Sequence, residues 1–124
     1  LLDDLETQTS IALKLMAVSQ RFSAYTNRGS MLQIMTLLLK YGANPNALAE
    51  SPVKGFTPTM MAAELDLADE LAIILMHGGD LSQEVKILGK DKAMYSFTSK
   101  GIAELFNSKK VLKVIEQRNS HAFN

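Results

Sequence analysis

Residues 55–63 read Gly55-Phe56-Thr57-Pro58-Thr59-Met60-Met61-Ala62-Ala63, and eleven residues further on the chain reads Ile74-Leu75-Met76-His77-Gly78-Gly79-Asp80. The first stretch is a helix start: Thr57 can cap, and Pro58 suits the first helical position, where a missing N–H costs nothing. The second is a helix end, because the residue after the last turn often takes a positive φ that glycine adopts without strain. Between them, Met60 to Met76 predicts two helices meeting near Asp66, the second with Leu71, Ile74 and Leu75 on one stripe.

The same punctuation recurs on either side. Upstream, Met31 to Tyr41 is a largely apolar helical run that stops at Gly42, and the chain continues Leu38-Leu39-Lys40-Tyr41-Gly42-Ala43-Asn44-Pro45-Asn46-Ala47. Downstream, Thr98-Ser99-Lys100-Gly101-Ile102-Ala103 and Val111 to Ile115 predict another helical pair, joined at Asn107-Ser108. Near the start, Ile11, Leu15 and Val18 fall on one helical face. No long alternating apolar and polar segment points to a sheet.

These segments resemble the ankyrin-repeat family, whose repeats open on G-x-T-P-L-H-x-A-A and close on L-L-x-x-G-A-D or L-L-x-x-G-A-x-x-N-A. The resemblance covers Thr9 to Asn119. It implies an all-α fold, a solenoid of stacked helix-turn-helix pairs with long connecting loops, and one domain over residues 1–124. The expected repeats cover about 9–47, 55–82 and 97–119. Stacking is needed because one helix pair cannot bury its own apolar face. Asp66 and Asn107 stand where the family prefers glycine, and Asp and Asn tolerate the left-handed region better than most residues. Thr59 and Met60 replace the usual Leu-His, and Glu70 stands where an apolar residue is normal. Thr9 to Gly42 is 33 residues, against 21 from Thr57 to Gly78, so the first repeat carries about twelve extra, around Arg21 to Ser30. Gly42 to Gly78 spans 36 residues and the next step, to Asn119, spans 41, both longer than the family period of about 33.

Composition restricts the functional classes. The chain has 124 residues, 47% of them hydrophobic, which fits one packed domain. It contains no cysteine, so disulfides, thiolate catalysis and cysteine-based zinc sites are excluded. Its two histidines, His77 and His121, are far apart in sequence, and no phosphate-binding loop, dinucleotide fingerprint or serine elbow is present. His77 falls near a helix end, where a cation is favoured by the dipole, and His121 falls in an expected tail. No cofactor, metal site or small-molecule substrate is expected, and the chain is read as non-catalytic. Apolar runs stop short of the ~20 residues a membrane span needs. A reducing, cytoplasmic setting is expected, host cytoplasm if the chain belongs to a secreted bacterial effector. The first residue is Leu1 rather than Met, and the chain reads as a piece of a longer protein.

Zero net charge hides an asymmetry. Residues 51–84 carry six acids against Lys54 alone, whereas residues 85–124 carry eight basic groups against three acids. Nucleic acid is the weaker reading of the basic half, because Glu104 and Glu116 interrupt the lysines and no aromatic platform is interleaved with them. Among seven methionines, Met60 and Met94 are the ones expected at the surface.

Ankyrin proteins usually bind another protein through turn tips and the inner-helix face. Carried over position by position, the resemblance implies partner contacts from Val53, Lys54, Phe56, Glu64, Leu65 and His77. In the third repeat it implies Met94, Tyr95, Phe97 and Leu105, with Phe106 beside them. The connector Asp80 to Phe97, with Lys86, Lys90 and Lys92, is the expected place for a partner-specific loop. The alternative is a substrate-targeting domain of a larger multidomain enzyme or bacterial effector whose catalytic part lies upstream.

Overall fold

The computed structural model describes residues 28–49 and 54–122. Among them the elements run α1 (Arg28–Lys40), α2 (Pro58–Leu65), α3 (Ala68–Met76), β1 (Val85–Leu88), β2 (Met94–Phe97), α4 (Ser99–Leu105) and α5 (Lys109–Ala122). Helix α2 packs on α3 and α4 on α5. Across these pairs α2 meets α4, and α3 lies between α1 and α5. The helices thus form two layers, α2 and α4 in one and α1, α3 and α5 in the other. The expected helix through Ile11, Leu15 and Val18, its opening at Thr9, and Val53 lie outside the described residues.

Repetition is written into the backbone hydrogen bonds. With an offset of 36 residues, Ala43 N–H donates to Leu38 O at 2.9 Å and Gly79 N–H to Ile74 O at 2.9 Å. Asn44 Oδ1 accepts Asn46 N–H at 2.9 Å, as Asp80 Oδ1 accepts Ser82 N–H at 2.8 Å. With an offset of 41, Leu67 N–H reaches Ala62 O at 2.9 Å and Ser108 N–H reaches Ala103 O at 2.8 Å. Thr57 Oγ1 caps α2 through Met60 N–H and Thr98 Oγ1 caps α4 through Gly101 N–H. Asp66 and Asn107 adopt φ of 56° and 55°, and Gly42 and Gly78 adopt 110° and 95°, so all four expected left-handed residues are left-handed.

The expectation of an all-α chain is overturned. An antiparallel two-stranded sheet, β1–β2, fills the last connector, and the fold mixes helices with a hairpin. The difference between the two connector lengths has a physical source. Ala49 N–H donates to Phe56 O at 2.8 Å across the first connector, and Val85 pairs with Phe97 across the second. The first closure spans 7 positions and the second 12, and that difference of five is the difference between the 36- and 41-residue steps. Five more residues turn a tight finger into a laddered hairpin. Lys92, at φ 67°, closes its turn with Lys92 N–H on Gly89 O at 3.0 Å. A four-residue alternation, Val85 in and Lys86 out, is too short to register as a strand period.

The core is continuous across the pairs, with Met60, Ala62, Ala63, Leu71, Ala103 and Val111 all unexposed. Met60, expected at the surface, is fully buried because its sulfur folds back to accept Thr57 N–H at 3.4 Å. Met60, Leu71 and Val111 each contribute ~1.5–3 kcal/mol by leaving water. Small Ala62, Ala63 and Ala103 let the helices approach. Thr59 is buried in a hydroxyl chain, its Oγ1 lying 3.0 Å from Thr57 Oγ1 and 2.8 Å from Ser99 Oγ. Glu70 is also buried within α3. Helix α5 continues through His121 to Ala122, where a tail was expected.

Asp66 does two things at once: it ends α2 in the left-handed region, and its Oδ1 accepts Val111 N–H at 3.0 Å in the first turn of α5. Asp66→Ala removes both and should cost about 2 kcal/mol in urea unfolding. Asp66→Asn keeps the acceptor and the tolerance of positive φ, and should recover most of the loss.

Candidate partner-binding surface

Two fingers and the end of α4 carry apolar side chains into solvent. Leu48 sits on the first finger, Leu88, Met94 and Tyr95 on the hairpin, and Leu105 and Phe106 at the end of α4. Register divides the hairpin into two faces. Val85, Ile87, Tyr95 and Phe97 share the inner face, while Lys86, Leu88, Met94 and Ser96 share the outer one. Val85 is buried, and Ile87 and Phe97 pack against the core, which anchors the base of the hairpin. All four outer-face residues are exposed.

The tip is held by polar clasps. Gly89 N–H donates to Ala93 O at 2.8 Å, Asp91 Oδ1 accepts Ala93 N–H at 3.1 Å, and the Tyr95 hydroxyl donates to Asp91 Oδ2. The Tyr95 hydroxyl, then the Ala93 amide, hold the Asp91 carboxyl below the usual carboxylate range, and the same carboxylate raises Tyr95 above the usual phenol range. A larger residue at position 89 would displace this clasp. A Cβ there would stand 2.6 Å from Tyr95 Cε2 and 2.7 Å from Asp91 Oδ1. The clasp pins the ring along the strand and leaves its body in solvent.

The residues implied by the sequence resemblance separate into three groups. Met94, Tyr95 and Leu105 are exposed, at 59%, 45% and 63%, and Lys54 is exposed on the first finger. Glu64, Leu65, His77 and Phe97 are half-buried; Leu65 and Phe97 pack against the core, and His77 Nδ1–H donates to Ile73 O at 2.9 Å. Phe56 is core, because its backbone closes the first finger and its ring turns inward. Val53 lies outside the described residues. The resemblance missed Leu48 and Leu88. Leu88 is an outward position of a strand, and only its alternation with Val85 and Ile87 could have marked it.

Charge follows the same geography. Lys86, Lys90, Lys92 and Lys100 are all exposed around the hairpin. Several acids of the preceding segment have structural work instead. Asp66 caps α5, and Asp80 accepts both Ser82 N–H and Ser82 Oγ–H, contacts that hold its carboxyl below the usual range. Among the described residues there is no group of three or more His, Asp or Glu able to hold a metal, and no helix long and apolar enough to cross a membrane.

Because Asp91 is depressed in the folded hairpin, its contribution is complete above the ordinary carboxylate pKa of about 4 and is lost as pH falls through the lowered value. Tyr95 ring resonances should therefore hold steady down to about pH 4 and shift only below it. Asp91→Asn should abolish that titration. A Tyr95 midpoint at the ordinary carboxylate value would mean that the clasp does not form in solution.

No protein-family model and no curated protein matches the chain.

Proposed function

We propose that this chain is a protein-recognition module of ankyrin-repeat kinship, without catalytic chemistry of its own, whose contact surface is built from its connectors. The observation that carries the reading is the hairpin. Its inner face is sealed to the core through Val85, Ile87 and Phe97, while Leu88 and Met94 stand 64% and 59% exposed on the other face, beside Lys86. Apolar groups held on a laddered hairpin beside charge suit a binding hot spot, since the backbone there loses little further freedom on binding. Leu105 and Phe106 extend the apolar surface at the end of α4. Its partner is another protein rather than nucleic acid, because aliphatic Leu48, Leu88, Met94 and Leu105 outnumber the exposed aromatics Tyr95 and Phe106 on this surface.

Photo-crosslinking tests this. Benzoylphenylalanine placed at Leu88 or Met94 should yield one discrete protein adduct from cell lysate, and the same probe at exposed Lys113 on α5 should yield none. Equal adducts from all three sites, or adducts from Lys113 alone, would remove the hairpin from the contact surface.

A further inference from the structure

The β1–β2 sheet has an open side. The ladder fixes which backbone groups face it. Gly89 donates to Ala93, and the register sets Ile87 opposite Tyr95 and Val85 opposite Phe97. Alternation in an antiparallel pair then turns the N–H and C=O of Tyr95 and Phe97 toward β1 and those of Met94 and Ser96 away from it. Met94, Tyr95 and Ser96 are all exposed. The preceding finger lies on the β1 side, where a Cβ on Gly55 would touch Val85 Cγ2 at 3.7 Å. No proline interrupts β2, so its outward donors and acceptors are competent to pair.

From this we infer that the outer edge of β2 accepts an extended, acidic segment of a partner protein as a third strand, a mode that rests on the recognition reading and specifies it. Charge selects the occupant. Residues 92–103 hold Lys92 and Lys100 and no acid, and Lys86 and Lys90 stand close by on the hairpin. The Asp91 carboxylate is taken up by Tyr95 and Ala93, and the nearest exposed acid downstream is Glu104, one turn beyond Lys100 on α4. A second copy of the chain is a poor occupant. Antiparallel pairing of two β2 strands about Ser96 would bring Lys92 of one toward Lys100 of the other, and like charges set opposite destabilise a pair. A strand with glutamate or aspartate two positions either side of an apolar residue puts all three on one face, the acids toward these lysines and the apolar residue beside Met94. Main-chain pairing supplies affinity and the alternate side chains supply selection.

The probe is a short fluorescein-labelled peptide with glutamate two positions either side of a central valine, titrated into the full chain and read by anisotropy. Binding should slow amide exchange at Met94 and Ser96, whose N–H groups face solvent in the free protein, and leave Tyr95 and Phe97, already protected, unchanged. N-methylation of alternate peptide amides should weaken binding about tenfold, the scale of one or two lost hydrogen bonds. Ser96→Pro, which removes only an outward donor, should do the same while Tyr95 and Phe97 stay protected. Lys92→Glu/Lys100→Glu should invert the preference toward a lysine–valine peptide. Equal binding of the N-methylated peptide, equal binding by Ser96→Pro, or no peptide binding at all would overturn edge pairing. So would a dimer of the free chain that Ser96→Pro dissolves, because the occupant would then be a second copy. Loss of the peptide with hairpin crosslinks intact would reject the third strand and leave side-chain docking; loss of both would reject the recognition reading as well.

Discussion

Everything outside the core is aimed by the hydroxyl chain Thr57–Thr59–Ser99. It joins the first turn of α2 to the first turn of α4, with oxygen separations of 3.0 and 2.8 Å and no exposure at Thr57 or Thr59. Buried hydroxyls demand partners, because an unsatisfied one costs about 1–3 kcal/mol. A leucine at position 59 would leave the Thr57 and Ser99 hydroxyls without this buried partner. The threonine fixes their relative height. Ser99 is two residues from Phe97, so the same bond sets where β2 enters the body and hence where the hairpin points. A second polar tie works on the other side of the stack. Asn46 takes Asp80 N–H at 2.7 Å and gives its own amide to Gly78 O at 3.1 Å, locking the turn after α1 to the turn after α3.

The parts of this fold that were legible in the sequence are those decided by one residue's conformational chemistry. Thr57 and Pro58 announce the start of α2, and Gly42, Gly78, Asp66 and Asn107 each mark a positive φ. Illegible were features decided by what a side chain meets across the molecule. Met60 reads as surface in a position where the family has histidine, yet its flexible thioether folds onto its own helix cap. Phe56 reads as a tip residue, yet finger closure through Ala49 turns it inward. Thr59 reads as a departure from pattern until Ser99, 40 residues away, is seen beside it. The hairpin was missed for a different reason. Its strands are four residues each, and β2, exposed at Met94, Tyr95 and Ser96 in succession, shows no alternation to corroborate that of β1.

The charge asymmetry changes meaning once the structure is known. A net charge of zero suggests a surface without preference, but the two signs are used differently. Asp66 and Asp91 complete turns and caps, Asp80 secures Ser82, and Glu70 is buried. Asp69, Glu84, Glu104 and Glu116 remain at the surface, while every lysine from Lys86 to Lys113 is exposed. Carboxylates accept backbone N–H groups and so are drawn into turns. An ammonium group is strongly hydrated and stays in water on its flexible stem. The neutral chain therefore presents a basic side around the hairpin, and such a field raises encounter rates with an acidic partner most at low salt.

Stability and the proposed recognition surface consequently occupy different parts of the chain. Helix caps, small alanines and buried hydroxyls determine the stack, and substitutions there are felt through the whole core. Among the described residues the connectors are tied to that core by closure at Ala49–Phe56 and at Val85–Phe97, by Ile87 packed against it, and by Asn46 bonded to Gly78 and Asp80. Whatever lies between the closing residues can lengthen without disturbing the helices, since loop closure grows only slowly in cost with length. Five additional residues in the second connector were enough to convert a tight finger into a hairpin with two faces and an open edge. The inner face satisfies the fold, so on the proposed recognition reading the outer face and the edge are the surfaces that carry specificity for a partner.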